Sequence, residues 1–233
     1  MSHLENNLQT VQQRIENACL ASARDVASIQ LLAVSKTVSA QTVQALAELG
    51  VRDFGENYIQ EGLDKINALA AVAHIQPLRW YCIGPVQSNK TKWVAEKFDW
   101  VLSVDRLKIA QRLNDQRPEH LPPLQVCLQV NVDAGVNKSG LSPQDVSALA
   151  LEVSQLEHLC LRGLMTIPEP QTCFEDQLAV HQRTRALFDE IQAKHSFAQW
   201  DTLSMGMTAD LEAAVQAGST LLRIGTALFG SRN

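Results

Sequence analysis

A chain of 233 residues, 45% of them hydrophobic, has the composition of an ordinary globular protein and room for one large core or two small ones. Its formal net charge of −5, with no basic block, argues against nucleic acid or an anionic membrane surface as the main partner. The five cysteines, Cys19, Cys82, Cys127, Cys160 and Cys173, are odd in number without a C-x-x-C pair, and the six histidines form no H-x-x-x-H pair, so neither a disulfide framework nor a metal site is expected.

The first residues show neither a basic region nor an apolar run of signal-peptide type, and no segment has the apolar length to span a bilayer, so a cytoplasmic protein is expected. Leu4, Leu8, Val11, Ile15 and Ala18 recur at helical spacing and predict an opening amphipathic helix. The next apolar run, Leu31 to Val34, has strand length and leads into Ser35-Lys36, after which Thr37 and Ser39 signal a helix start. Strand-length runs then recur at Val51 to Phe54, Trp80 to Ile83, Trp100 to Val104, Leu124 to Val132, Leu161 to Met165, Thr202 to Ser204 and Leu221 to Ile224. Helical patterns lie between them at Ala40 to Leu49, Tyr58 to Ala73, Lys90 to Phe98, Leu107 to Asn114, Ser142 to Leu156, Gln177 to Lys194 and Thr208 to Ala217. Gly50 and Gly218 are placed as helix C-terminal caps, and Asp105 and Ser142-Pro143 as helix starts.

Eight strands alternating with helices predict parallel pairing through right-handed crossovers, and eight is the number that closes a barrel. The expected fold is α/β, a single (β/α)8 TIM barrel with an extra N-terminal helix, forming one domain over residues 1–233. An open doubly wound sheet has the same alternation, but no Gly-rich dinucleotide fingerprint follows the first strand.

In such a barrel the chemistry is built from loops at the carboxyl ends of the strands, and polar residues gather there. Lys36 follows the first strand, Gly55-Glu56-Asn57 the second, and Gly84 with Gln87-Ser88-Asn89-Lys90 the third. Asn137-Lys138-Ser139-Gly140 lies after the fifth, Met165-Thr166 ends the sixth, and Ser204-Met205-Gly206-Met207 and Arg223-Ile224-Gly225-Thr226 close the last two. Burial of a strand-end lysine lowers its pKa and makes it nucleophilic toward an aldehyde. The plain alternative is a lysine that emerges into solvent and caps the strand. Ser204, Gly206, Gly225 and Thr226 stand where these barrels hold phosphate, the glycines admitting backbone N–H groups and the hydroxyls adding donors. An aldehyde-reactive lysine facing a phosphate cradle describes a pocket for pyridoxal 5′-phosphate (PLP). Arg223 has its own plain alternative, pairing with a strand-end carboxylate. Lys90 and Lys92 read as a solvated helix face, and Met205 and Met207 as packing around the pocket.

The runs A-V-S-K at Ala33 to Lys36, D-F-G-E-N-Y at Asp53 to Tyr58, I-G-P-V-Q-S-N-K at Ile83 to Lys90, L-S-M-G-M at Leu203 to Met207 and R-I-G-T-A-x-F-G at Arg223 to Gly230 resemble the pyridoxal phosphate homeostasis protein family, related to the barrel domain of alanine racemase. The resemblance spans nearly the whole chain. It implies that Lys36 carries PLP as a Schiff base and that Asn57 lines the cofactor. It further implies that Ser204, Gly206, Gly225 and Thr226 hold the phosphate, with Arg223 facing the pyridine nitrogen. The chain departs from the family's common pattern at Tyr81 (histidine), Val86 (leucine) and Thr208 (serine). Lys138, Met165 and Tyr81 are candidate entrance or substrate contacts, Lys138 because its loop points toward the same rim and Tyr81 because it bears on proton transfer.

Arginine carries only donors and stays protonated, so beside the pyridine nitrogen it leaves the ring a weak electron sink. Racemisation needs a second base on the opposite face, which the related racemases take from a tyrosine in a following β-domain. Here the sequence stops shortly after the last barrel element, and Tyr58 and Tyr81 are its only tyrosines. The expected function is therefore intracellular PLP homeostasis, buffering or delivery that affects amino-acid and keto-acid balance, by a monomer without efficient turnover. PLP-dependent apo-enzymes are the expected recipients. The alternatives are a weak PLP-dependent amino-acid racemase and a non-covalent binder of another phosphorylated metabolite.

Overall fold

The computed structural model describes residues 2–70, 72, 77–133 and 139–230. Helix α1 (His3–Ala21) opens on a capping box, in which the Glu5 amide donates to Ser2 Oγ and the Ser2 amide to the Glu5 carboxylate. The chain then alternates through β1 (Gln30–Val34), α2 (Ala40–Glu48), β2 (Asp53–Glu56), α3 (Ile59–Leu69), β3 (Arg79–Cys82), α4 (Thr91–Lys97), β4 (Trp100–Val104) and α5 (Leu107–Gln116). It continues through β5 (Leu124–Val130), α6 (Pro143–Val153), β6 (Leu159–Thr166), α7 (Phe174–His195), β7 (Thr202–Ser204), α8 (Leu211–Gln216), β8 (Leu221–Ile224) and the one-turn α9 (Thr226–Phe229).

Each strand pairs in parallel with its sequence neighbours, and Gln30 to Ala33 of β1 pair with Leu221 to Ile224 of β8. The sheet is thus a closed barrel and not the open doubly wound alternative. Side chains alternate across its wall. Leu32, Val34, Tyr81, Leu102, Cys127 and Met165 belong to a cluster drawn only from strands and their ends, which fills the barrel. Ala33, Phe54, Cys82, Val101 and Leu222 face the other way and pack with Val43, Leu46, Val94 and Ile109 of the helices. Leu8, Val11 and Ile15 bury the inner face of α1, which lies against α8 and α9.

Gly50 and Gly218 take positive φ (101° and 99°) just after α2 and α8, as C-terminal caps do. Several boundaries differ from the sequence pattern. β2 sits two residues later than the apolar run, so Gly55 and Glu56 are strand residues and Glu56 is buried, its burial made tolerable by partners described below. α8 begins at Leu211 and not Thr208, because the Asp210 carboxylate accepts from the Met207 amide and closes a turn ahead of the helix. α3 ends at Leu69, β5 ends at Val130, and the residue preceding α5 is Arg106, one beyond Asp105.

Candidate functional site

The alternation that fills the barrel also aims Lys36. Leu32 and Val34 point into the barrel and Ala33 points out. Ser35 follows outward, toward Glu56, and Lys36 returns to the mouth, where it lines a cavity of about 360 Å³. Asn57, Ile83 and Ile167 reach this cavity from the ends of β2, β3 and β6, and Met207, Thr208 and Ala209 from the turn before α8. Arg223, Gly225 and Thr226 complete it from β8 and the start of α9. Its volume suits a small ligand, with apolar walls and a few convergent polar groups.

Arg223 is 4% exposed. Its Nη1 donates to Ser204 Oγ at 2.8 Å and its Nη2 to the Thr166 carbonyl at 2.7 Å. Among the described residues no carboxylate forms an ion pair with it, which removes the plain strand-end pairing. Burial pushes its pKa down to about 10, partly offset by the more distant Asp210. Two of five guanidinium N–H groups are thereby engaged.

The loops that follow β7 and β8 are tied to one another and to α1. Thr208 Oγ1 accepts a long, 3.4 Å bond from the Ala227 amide of α9. Arg14 of α1 donates to the Thr208 carbonyl at 2.9 Å while pairing with Glu212 of α8. Asp210 Oδ1 accepts from the Met207 amide at 2.7 Å, and Asp210 Oδ2 lies 2.9 Å from His181 Nε2. Burial raises the Asp210 carboxyl, but the bonds from His181 and Met207 outweigh it and hold the pKa below its ordinary value.

The structure thus brings Lys36, Asn57, Arg223, Gly225 and Thr226 around one cavity, and separates others from it. Ser204 is a buried strand residue that accepts from Arg223 and does not line the cavity. Gly206 has φ 92°, and a Cβ there would lie 2.4 Å from the Ala214 Cβ, so it serves the close packing of its loop on α8. Met165 is fully buried in the barrel filling and is no entrance residue. Tyr81 also points inward, toward the other end: its hydroxyl accepts from Gln30 Nε2 at 2.7 Å and its ring stacks on Trp100, the first residues of β1 and β4. Burial pushes its pKa up, and it does not reach the mouth. Lys138 lies outside the described residues. Thr208, which the sequence showed only as a departure from serine, is the hydroxyl that lines the cavity from the β7 loop. The available signal was position: Thr208 lies beyond the strand, whereas Ser204 ends it.

A family model described as "Alanine racemase, N-terminal domain" matches residues 1–233. The chain is 53% identical over 233 residues to the "Pyridoxal phosphate homeostasis protein" of Pseudomonas aeruginosa, covering 100% of this chain and 97% of that one. In structure it is similar to PipY of Synechococcus elongatus with PLP bound, with a TM-score of 0.85 and 33% identity over 98% of this chain and 100% of that one. An alanine racemase of Clostridium difficile has a TM-score of 0.74 over 97% of this chain and 57% of that one, a likeness of fold at 14% identity.

Proposed function

We propose, from the premise that this chain belongs to the alanine racemase N-terminal-domain family and within it to the pyridoxal phosphate homeostasis proteins, that it holds PLP covalently on Lys36 and buffers or delivers it in the cell. Such a protein acts in the cytoplasm, as a monomer, with PLP-dependent apo-enzymes as recipients. Bound there, the cofactor would supply an aldehyde, a phosphate and a pyridine nitrogen. The residues at the cavity complement all three. The Lys36 amine would take the aldehyde, Thr208, Gly225 and Thr226 would hold the phosphate with hydroxyls and the opening of α9, and Arg223, backed by Ser204, would serve the pyridine nitrogen. Asn57 and Ile83 line the space between.

The observation that carries this reading is the buried Arg223, a cation in the cavity wall met by a hydroxyl and a carbonyl, with N–H groups to spare for an acceptor inside. PLP-loaded protein, freed of unbound cofactor by gel filtration, is mixed with an apo-transaminase whose activity is then followed. Wild type is expected to restore activity, and Lys36→Ala carried through the same filtration is expected to restore none. Equal cofactor retained by both proteins would contradict covalent holding and favour the non-covalent binder.

A further inference from the structure

Directly behind Lys36, outside the cavity, lies a charged cluster that the reading above does not use. Lys65 of α3 is 4% exposed. Its ammonium donates to the Ser35 carbonyl at 2.6 Å, to Glu56 Oε1 at 2.8 Å and to Glu61 Oε1 at 2.7 Å, which engages all three of its N–H groups. Glu56, 1% exposed at the end of β2, also accepts from Ser35 Oγ at 2.6 Å. Glu61 accepts from the Thr37 amide at 2.5 Å. The residue on each side of Lys36 is therefore bound to the same cluster.

Thr37 has φ 64°, a left-handed conformation that a β-branched residue rarely adopts and that persists where neighbouring contacts over-determine it. Stability alone does not explain such a cluster, because an apolar replacement for a buried ion pair is often as stable. What an apolar replacement lacks is direction. It has no acceptor for the Thr37 amide and no donor for the Ser35 carbonyl.

We propose that Lys65, with Glu56 and Glu61, forms a positioning set that fixes the main chain on both sides of Lys36 and so sets where its amine meets an aldehyde. The proposal rests on Lys36 being the point of attachment. In the step it serves, the neutral amine nitrogen adds to the aldehyde carbon. The carbonyl oxygen then leaves as water with both amine hydrogens, a carbon–nitrogen double bond remains, and nothing is oxidised or reduced. Orientation governs the rate of such a step, since a misplacement of about 1 Å can cost ~100-fold.

Two ligands separate this role from general support of the fold. PLP has the aldehyde, whereas pyridoxamine 5′-phosphate has the same ring and phosphate with an amine in its place and cannot bond to Lys36. In Lys65→Met, stopped-flow capture of PLP is expected to slow by at least about tenfold, within the range that misorientation produces, while affinity for pyridoxamine 5′-phosphate stays within about twofold. Glu61→Gln keeps an oxygen for the Thr37 amide and is expected to slow capture less. If Lys65→Met does not fold, Lys65→Met/Glu56→Gln removes the stranded carboxylate and carries the same test. Parallel loss for both ligands, or loss for neither, overturns the positioning role. Wild type that captures no PLP on Lys36 overturns the site reading itself and takes this proposal with it.

Discussion

At Arg223 a full positive charge is removed from water and met by one hydroxyl and one carbonyl. Burying a charge without a counter-charge costs several kcal/mol, so a ligand acceptor in the cavity completes an otherwise costly arrangement. The hydroxyls of Thr208 and Thr226, which line the cavity, are expected to behave differently from that of Ser204, which does not. Thr226→Val and Thr208→Val each remove a cavity-facing hydroxyl, and loss of one hydrogen bond to a charged phosphate is worth about 1.5–3 kcal/mol. Calorimetric titration should show about tenfold or greater weakening of PLP binding in each. Ser204→Ala strands a buried guanidinium donor and is expected to lower thermal stability by about 1–3 kcal/mol. Unchanged PLP affinity in both threonine variants would remove the phosphate assignment. At this scale the sequence made Lys36 legible, because an apolar run of strand length followed by a lysine fixes both depth and side of the barrel. It misplaced Ser204, Met165 and Tyr81, because nearness to a strand end does not say which way along the barrel a long side chain leans or whether it is already engaged.

Among the elements, the turn between β7 and α8 shows how local chemistry overrides pattern. Thr208 to Ala217 reads as one helix, yet the Asp210 carboxylate accepts from the Met207 amide and faces His181, so residues 208–210 form a turn that brings Thr208 and Ala209 to the cavity. Likewise the apolar residues Val51 and Phe54 drew the expected β2 too early. Its true end is Glu56, a residue whose burial depends on Lys65, distant in sequence by nine positions and invisible to any periodicity. The Asp210 tie has a pH signature. Its folded pKa lies below the ordinary 3.8, so its contribution is fully present above about pH 4 and is lost as pH falls through the folded value. Urea midpoints measured from pH 5 to pH 3 should therefore fall more steeply in wild type than in Asp210→Asn. Parallel acid limbs would show that the carboxylate does not hold the turn.

Over the whole molecule, the order of eight strands and their helices was readable because a parallel barrel repeats one simple unit, and the closure of β1 on β8 follows from the count. The convergence of distant loops on one cavity was readable only as a consequence of that closure. Its occupant rests on chemistry at the mouth: Lys36 on one side, Arg223 on another, and hydroxyls at the opening of α9. Tyr81, the residue with the best claim in the sequence to a second proton-transfer role, is sequestered at the opposite end of the barrel. The cavity lining contains no tyrosine among the described residues. The most direct measurement is borohydride reduction of the PLP-loaded protein followed by proteolysis and mass mapping of the modified peptide. The account predicts a phosphopyridoxyl group on Lys36; label on another lysine with Lys36 unmodified would contradict it.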